Sequence, residues 1–108
     1  MIIYRVENDE HQGPYTAQVL PEMNVEHQDE YHPAPWEDKG IERSIEWGIE
    51  VCCFDSLIKL EQWFGDWLPR LLEIGFKVKQ FEVDQLEAVG VYQCLVLKEK
   101  LERELVLA

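Results

Sequence analysis

The sequence predicts a single α+β domain over residues 1–108, with a small, mostly antiparallel sheet, two to three helices and a long acidic loop in its first half. Three observations lead to this fold class. The chain has 108 residues, the length of one ordinary domain. Apolar residues make up 46 %, enough to fill one packed core. Strand-like and helix-like patterns follow one another in the order β, loop, β, α, α, β, β, α.

The first half of the chain is predicted to contain a strand followed by a long loop. Residues 2–6 carry the β-branched and aromatic side chains that strands favour. A polar run with turn-forming residues at 8–14 ends this strand. Between residues 20 and 40, three prolines exclude a long helix, and the acidic, polar composition predicts a surface loop. Loops of this length in small domains are often functional.

Two consecutive helices are predicted between residues 56 and 74. Asp55 or Ser56 is suited to cap the first helix, and Gly65 is suited to end it. Asp66 is then predicted to cap a second helix, which Gly75 ends.

The remaining strands are predicted on both sides of these helices. Residues 51–54 form a short apolar run, and residues 76–83 alternate between apolar and polar side chains. The alternation slips at Gln80, which predicts a bulge. Residues 91–97 are apolar enough for a central strand, and residues 98–105 are predicted to form a closing helix.

The charge of the chain is strongly negative and uneven. Asp and Glu number 22 against 10 Lys and Arg, which gives a net charge of −12. Residues 1–50 hold 12 acidic and 3 basic residues, a balance of −9, whereas residues 51–108 hold 10 and 7, a balance of −3. Nucleic acids and anionic membranes are themselves polyanionic, so direct binding to either is not expected. The expected partner is instead a basic protein surface.

The three cysteines indicate a reducing compartment. Cys52, Cys53 and Cys94 are odd in number and contain no C-x-x-C pair, so neither a disulfide framework nor a zinc site is predicted. We expect them to be reduced, buried thiols that pack as small apolar side chains. The chain has no apolar run of about 20 residues, and residues 1–7 lack the core of a signal peptide. Together these features predict a cytoplasmic protein.

Motifs for catalysis or metal binding are weak. His27, His32, Asp29 and Glu30 lie close in sequence, but their spacing matches no standard metal site, so no metal is expected. The six glycines are isolated and form no phosphate-binding loop. Trp36 lies in an acidic, proline-stiffened stretch, where an aromatic side chain can either pin the loop to the body of the protein or serve as an interface anchor. Pinning is the favoured interpretation.

Several short motifs along the chain resemble small acidic proteins encoded by bacteriophages and prophages, of the anti-defence type. The motifs are Tyr4-Arg5-Val6-Glu7, Gly13-Pro14-Tyr15, His32-Pro33-x-Pro35, Phe54-Asp55-Ser56-Leu57, Trp63-Phe64 and Gly75-Phe76-x-Val78. More remotely, the order of elements resembles a minimal ADP-ribosyltransferase fold. That resemblance implies an NAD site with Arg5 on the first strand and Ser56 before a helix. The third position, a glutamate in that family, falls on Gln93, and Glu82 or Glu87 are alternative carboxylates.

Two functional hypotheses follow. The first, implied by the phage resemblance and favoured by the charge asymmetry, is an inhibitor without cofactor. It would act in the host bacterial cytoplasm by occupying the nucleic-acid groove of a defence complex, such as a CRISPR effector, as a nucleic-acid mimic. The second is a small ADP-ribosyltransferase-like enzyme that uses NAD to modify a host protein, with Arg5, Ser56 and Gln93 at its site. For the inhibitor, the residues assigned to partner binding are Glu22, Glu26, Asp29, Glu30, Trp36, Glu37, Asp38, Glu42 and Glu46.

Overall fold

Two three-stranded antiparallel sheets and four short α-helices make up the computed structural model, which describes residues 1–17 and 19–105. The elements are β1 (Ile2–Glu7), α1 (Pro14–Ala17), α2 (Pro21–Glu26), β2 (Glu50–Cys53), α3 (Leu57–Phe64), α4 (Trp67–Glu73), β3 (Lys77–Glu82), β4 (Ala88–Val89), β5 (Cys94–Leu97), a 3₁₀ turn (Lys98–Lys100) and β6 (Glu104–Leu105). The α+β class predicted from the sequence is confirmed. No helix in the described ranges is long and apolar enough to cross a membrane.

The strands divide between two sheets instead of forming the single sheet expected. The first has the order β1-β3-β6 and the second the order β2-β5-β4. The sheets meet at one antiparallel bridge, where Tyr4 and Phe54 exchange two backbone hydrogen bonds of 2.8 Å. All four residues of β2 pair with β5. The bridge to the edge of β1 is made by Phe54, the residue that follows β2.

β3 runs beside β1 in unbroken register, with Gln80 opposite Tyr4. The bulge predicted at Gln80 is therefore wrong. The apparent slip in the pattern arises because both faces of the sheet are covered. Val78 packs against one core cluster, and Phe81 belongs to the other. Side chains three positions apart on a strand point to opposite faces, so a regular strand accounts for the pattern.

The core consists of two clusters on the two faces of β1. Val6 belongs to the larger cluster and Ile3 to the smaller one. The larger cluster contains Val6, Leu20, Met23, Phe54, Leu60, Trp63, Phe64, Leu71 and Phe76. The smaller contains Ile3, Cys53, Phe81, Val83, Cys94 and Val96. Helices α2, α3 and α4 contribute to the larger cluster, so the first half of the chain is docked on the α3 side of the molecule.

The two central helices form where predicted, but only one is capped as predicted. The Ser56 hydroxyl accepts a 3.1 Å hydrogen bond from the Lys59 amide and caps α3. Gly65, with a φ of 53°, ends that helix. The Asp66 side chain makes no capping bond to α4, contrary to the prediction, because its backbone is already helical, with φ −69° and ψ −10°. A capping side chain needs an extended backbone to reach the following amides.

Two further predictions need correction. Residues 20–40 are not entirely loop: α2 starts at Pro21, which is tolerated in a first turn, and buries Met23 completely. The helix predicted over residues 98–105 is reduced to the 3₁₀ turn, after which β6 pairs with β3 at Gln80 and Phe81. The open edge of β3 offers backbone hydrogen bonds that outweigh a modest helical preference.

Candidate partner-binding surface

Asp38 holds the acidic loop against the second sheet. Its side chain is only 1 % exposed. Its Oδ1 atom accepts a 2.7 Å hydrogen bond from the Val91 amide, and its Oδ2 atom accepts bonds of 3.2 and 3.1 Å from the amides of Tyr92 and Gln93. The structure thus corrects the assignment of Asp38 to the partner-facing surface. It also explains why the strand predicted from residue 91 begins only at Cys94.

Two further contacts strengthen this attachment. The Gln93 side-chain amide donates a 2.8 Å hydrogen bond to the carbonyl of Pro33. The Val91 amide lies 3.2 Å from the carbonyl of Lys39, and Gly40, with a φ of 106°, leaves no room for a Cβ atom beside the Val89 carbonyl. Residues 33–40 are therefore fixed by hydrogen bonds to residues 91–93 and by the close approach of Gly40 to Val89.

Aromatic side chains in this part of the chain are exposed. Trp36 is 56 % exposed, so the interpretation that it pins the loop is wrong. The loop is held by Asp38 instead. The role of Trp36 as an interface anchor stays a prediction. Tyr31 and Trp47 are also exposed, at 62 % and 79 %, and sequence reasoning did not single them out. The sequence does contain an indication that Trp47 is exposed. It lies beside Gly48 and does not follow the apolar spacing of a strand or a helix.

Most of the predicted partner-binding carboxylates are exposed. Asp29 lies 2.8 Å from His32, and Glu37 accepts a 3.3 Å hydrogen bond from the Ala34 amide. Apart from Asp29, none of the exposed ones forms an ion pair within the described ranges. The exposed carboxylates are Glu22, Glu26, Asp29, Glu30, Glu37, Glu42 and Glu46.

The nearby Arg43 does not neutralise these exposed carboxylates. Its guanidinium forms two 2.8 Å hydrogen bonds with the buried carboxylate of Glu50. The hydrogen bonds from Arg43 lower the pKa of Glu50 to about 2 despite its desolvation. Because this geometry is bidentate, Arg43 is committed to an internal partner.

The two central histidines pack against α3. The rings of His27 and His32 stack with centroids 3.8 Å apart. His32 contacts Asp29 through Nδ1 and the Trp63 carbonyl through Nε2, at 2.8 and 2.5 Å. The Nδ1 atom of His27 hydrogen-bonds the Tyr15 hydroxyl. In the described ranges, no three His, Cys, Asp or Glu side chains lie close enough to hold a metal ion.

The residues of the alternative NAD site are each bound within the protein. Arg5 donates hydrogen bonds to Glu7, at 3.0 Å, and to the Cys52 carbonyl, at 2.9 Å. Ser56 caps α3, and Gln93 binds the Pro33 carbonyl. The structure records no hydrogen bond between any two of Arg5, Ser56 and Gln93 in its described part. The NAD-using function stays a prediction.

The cysteines are free thiols, as predicted. Cys53 and Cys94 are buried directly opposite each other in β2 and β5, and Cys52 is half-buried. Burial raises the pKa of Cys52 to about 11 and that of Cys53 to about 12. At neutral pH these thiols are protonated, so they are poor nucleophiles and serve as packing groups.

Comparison with known proteins places the chain among phage proteins. The family model described as Bacteriophage T4 Y00F protein matches residues 1–106. Neither the curated proteins nor the solved structures contain a match to this chain. The resemblance to phage-encoded proteins is thereby confirmed, whereas its anti-defence aspect and the ADP-ribosyltransferase resemblance stay predictions. Since the match covers nearly the whole sequence, the chain belongs to the bacteriophage T4 Y00F protein family.

Proposed function

We propose that the protein is an acidic phage inhibitor that binds a basic, nucleic-acid-binding surface of a host complex and acts as a nucleic-acid mimic. The proposed target is the nucleic-acid groove of a defence complex such as a CRISPR effector, in the host bacterial cytoplasm. The proposal requires no cofactor, and the protein acts by occupying the groove. Membership of a phage family supports a target inside the infected cell.

The observation that carries the proposal is a set of exposed glutamates without cationic partners. Within the described ranges, Glu22, Glu26, Glu30, Glu37, Glu42 and Glu46 are exposed and form no ion pair. An unpaired, hydrated carboxylate keeps its full attraction for Lys and Arg on another molecule. Several of them steer a basic groove into contact and accelerate association at low salt.

The part of the chain around these glutamates is already attached to the body of the protein, which lowers the entropic cost of binding a partner. Asp38 and Gln93 tie residues 33–40 to the second sheet, and Met23 and His27 are buried against the body of the protein. A segment that is already ordered loses less conformational entropy when it binds. The exposed Trp36 and Trp47 add apolar area that can be desolvated in an interface, which charge alone does not provide.

The test begins with affinity capture from a bacterial lysate and mass spectrometry of the retained proteins. Binding of the captured partner is then titrated at two salt concentrations around 0.15 M, where the Debye length is about 8 Å. One variant reverses the charge of Glu22, Glu26, Glu30 and Glu46 to Lys. The matched control reverses Glu73, Glu82, Glu99 and Glu102, which are exposed residues of the second half, and changes the net charge equally.

The first variant should lose affinity and most of its salt dependence, whereas the control should retain both. Equal losses in the two variants would mean that only the total charge matters. Unchanged affinity in the first variant would rule out mimicry through this segment. Competition by DNA or RNA for the same partner is the second expected result, because a mimic and the nucleic acid share one groove.

A further inference from the structure

A stack of two histidine rings joins residues 27–32 to α3, and the proposed function makes no use of it. The rings of His27 and His32 are 10° from parallel, with centroids 3.8 Å apart. The edge of Trp63 meets the His32 ring at a centroid distance of 4.8 Å. His27, which directly follows α2, and His32 of the loop thus form one pair of titratable groups against α3.

Both ring nitrogens of His32 face groups that only accept hydrogen bonds. Nδ1 lies 2.8 Å from a carboxylate oxygen of Asp29, and Nε2 lies 2.5 Å from the carbonyl oxygen of Trp63. An imidazole donates from both nitrogens only when it carries two protons. The hydrogen bond from His32 lowers the pKa of Asp29, which keeps this carboxylate an acceptor in mild acid. The geometry therefore fits His32 as an imidazolium.

The hydrogen bonds around His27 fit a neutral imidazole. The indole Nε1–H of Trp63 donates a 2.8 Å hydrogen bond to the Tyr15 hydroxyl, and this hydroxyl is bonded to Nδ1 of His27. The tyrosine proton is then directed to His27, whose Nδ1 must be unprotonated to accept it. Burial, followed by the charge of His32, lowers the pKa of His27 to about 4. A neutral ring thus stacks on a charged one.

We propose that the stack holds a single extra proton, on His32, and that docking of residues 27–32 on α3 depends on that proton. The titratable groups facing the pair are Tyr15, Glu26 and Asp29. A second proton on His27 reverses the direction of its hydrogen bond with Tyr15 and brings two like charges into contact. The segment is therefore released when the pH falls far enough to protonate His27.

This device is independent of the identity of any partner. A second consequence rests on the proposed function. Release of residues 27–32 would then also regulate partner binding, because this segment carries Asp29 and Glu30 and is flanked by Glu26. The test below uses the isolated protein, so its failure would leave the proposed function standing.

The test is a histidine side-chain ¹⁵N NMR titration from pH 3 to 9. At pH 5.5 we expect both nitrogens of His32 to be protonated, while His27 stays neutral with its proton on Nε2. NOEs between the rings of His32 and Trp63 should be present at pH 5.5 and lost at pH 3. A charged His27 at pH 5.5, a neutral His32 at that pH, or NOEs that persist unchanged at pH 3 would each overturn the proposal.

Three variants test the acid release. His27→Phe keeps a ring in the stack and should keep the segment docked at pH 3. His32→Phe removes the proton and should leave the segment undocked at every pH. His11→Gln alters the remaining histidine, which is 73 % exposed and contacts Glu7, and should leave the acid release unchanged. A His32→Phe protein with the wild-type NOE pattern around His27 would contradict the proposal.

Discussion

The carboxylate of Asp38 occupies the space that a side chain at Gly90 would need. A Cβ atom built on Gly90 would lie 2.3 Å from Oδ2 of Asp38, well inside van der Waals contact. Asp38 in turn receives the backbone amides of the three residues that follow Gly90. The glycine and the aspartate therefore form one locking contact between the acidic loop and the second sheet.

This contact predicts that Asp38→Asn and Gly90→Ala are both strongly destabilising. The asparagine would direct an N–H₂ group at backbone donors, at a cost of about 2–4 kcal/mol. The alanine would displace the carboxylate, at about 1–3 kcal/mol. Urea unfolding followed by circular dichroism measures both changes. Glu37→Gln, beside Asp38 but exposed, should change the free energy of unfolding by less than about 0.5 kcal/mol. If Asp38→Asn is as stable as that control, the lock is absent.

The pair of Glu50 and Arg43 predicts a stability difference that depends on pH. The pKa of Glu50 falls from 4.5 to about 2 on folding, so its contribution is fully present above pH 4.5 and is lost as the pH falls through about 2. Wild type should exceed Glu50→Gln in free energy of unfolding at pH 7, and the difference should shrink between pH 4.5 and 2. Chemical unfolding at a series of pH values checks this. A difference that is constant with pH would contradict the assignment.

Substitution of Trp63 should affect stability, whereas substitution of Trp36 should affect partner binding. Trp63 is 8 % exposed and its indole binds Tyr15, so Trp63→Ala should cost about 3–5 kcal/mol of stability. Trp36 is 56 % exposed, so Trp36→Ala should leave the free energy of unfolding within about 0.5 kcal/mol of wild type. The same variant should weaken binding to a captured partner by tenfold or more, as expected for a buried interface anchor. Thermal unfolding and a binding titration separate the two effects.

The contacts of Arg5 predict that the protein does not bind NAD. Its guanidinium binds Glu7, which is 3 % exposed and also lies 3.1 Å from Lys79, so Arg5 is committed to a buried ion network. Calorimetry with millimolar NAD should therefore show no heat of binding. Arg5→Met should instead lower stability by about 1–3 kcal/mol, because Glu7 loses one charged hydrogen-bond donor but keeps Lys79. Saturable NAD binding that is abolished by Ser56→Ala would contradict this expectation and support the enzyme hypothesis.

The sequence by itself determined the elements whose causes are local. Ser56 and Gly65 bound α3 because capping and a positive φ act within one turn of the chain. Strand patterns at residues 2–6 and 76–83 predicted β1 and β3 because alternation follows the strand repeat itself. The exposure of Glu22, Glu26, Glu30, Glu37, Glu42 and Glu46 also agrees with the sequence, since charged side chains are mostly exposed.

Only the tertiary structure decided which acidic residue in the described part of the loop is internal. Asp38 looks like its neighbours in sequence, and its amide partners lie 53 to 55 residues away. Likewise, Glu104 and Leu105 form β6 because the edge of β3 is open there. Pairing between distant segments depends on how the core closes, and no local pattern encodes which loop meets which strand.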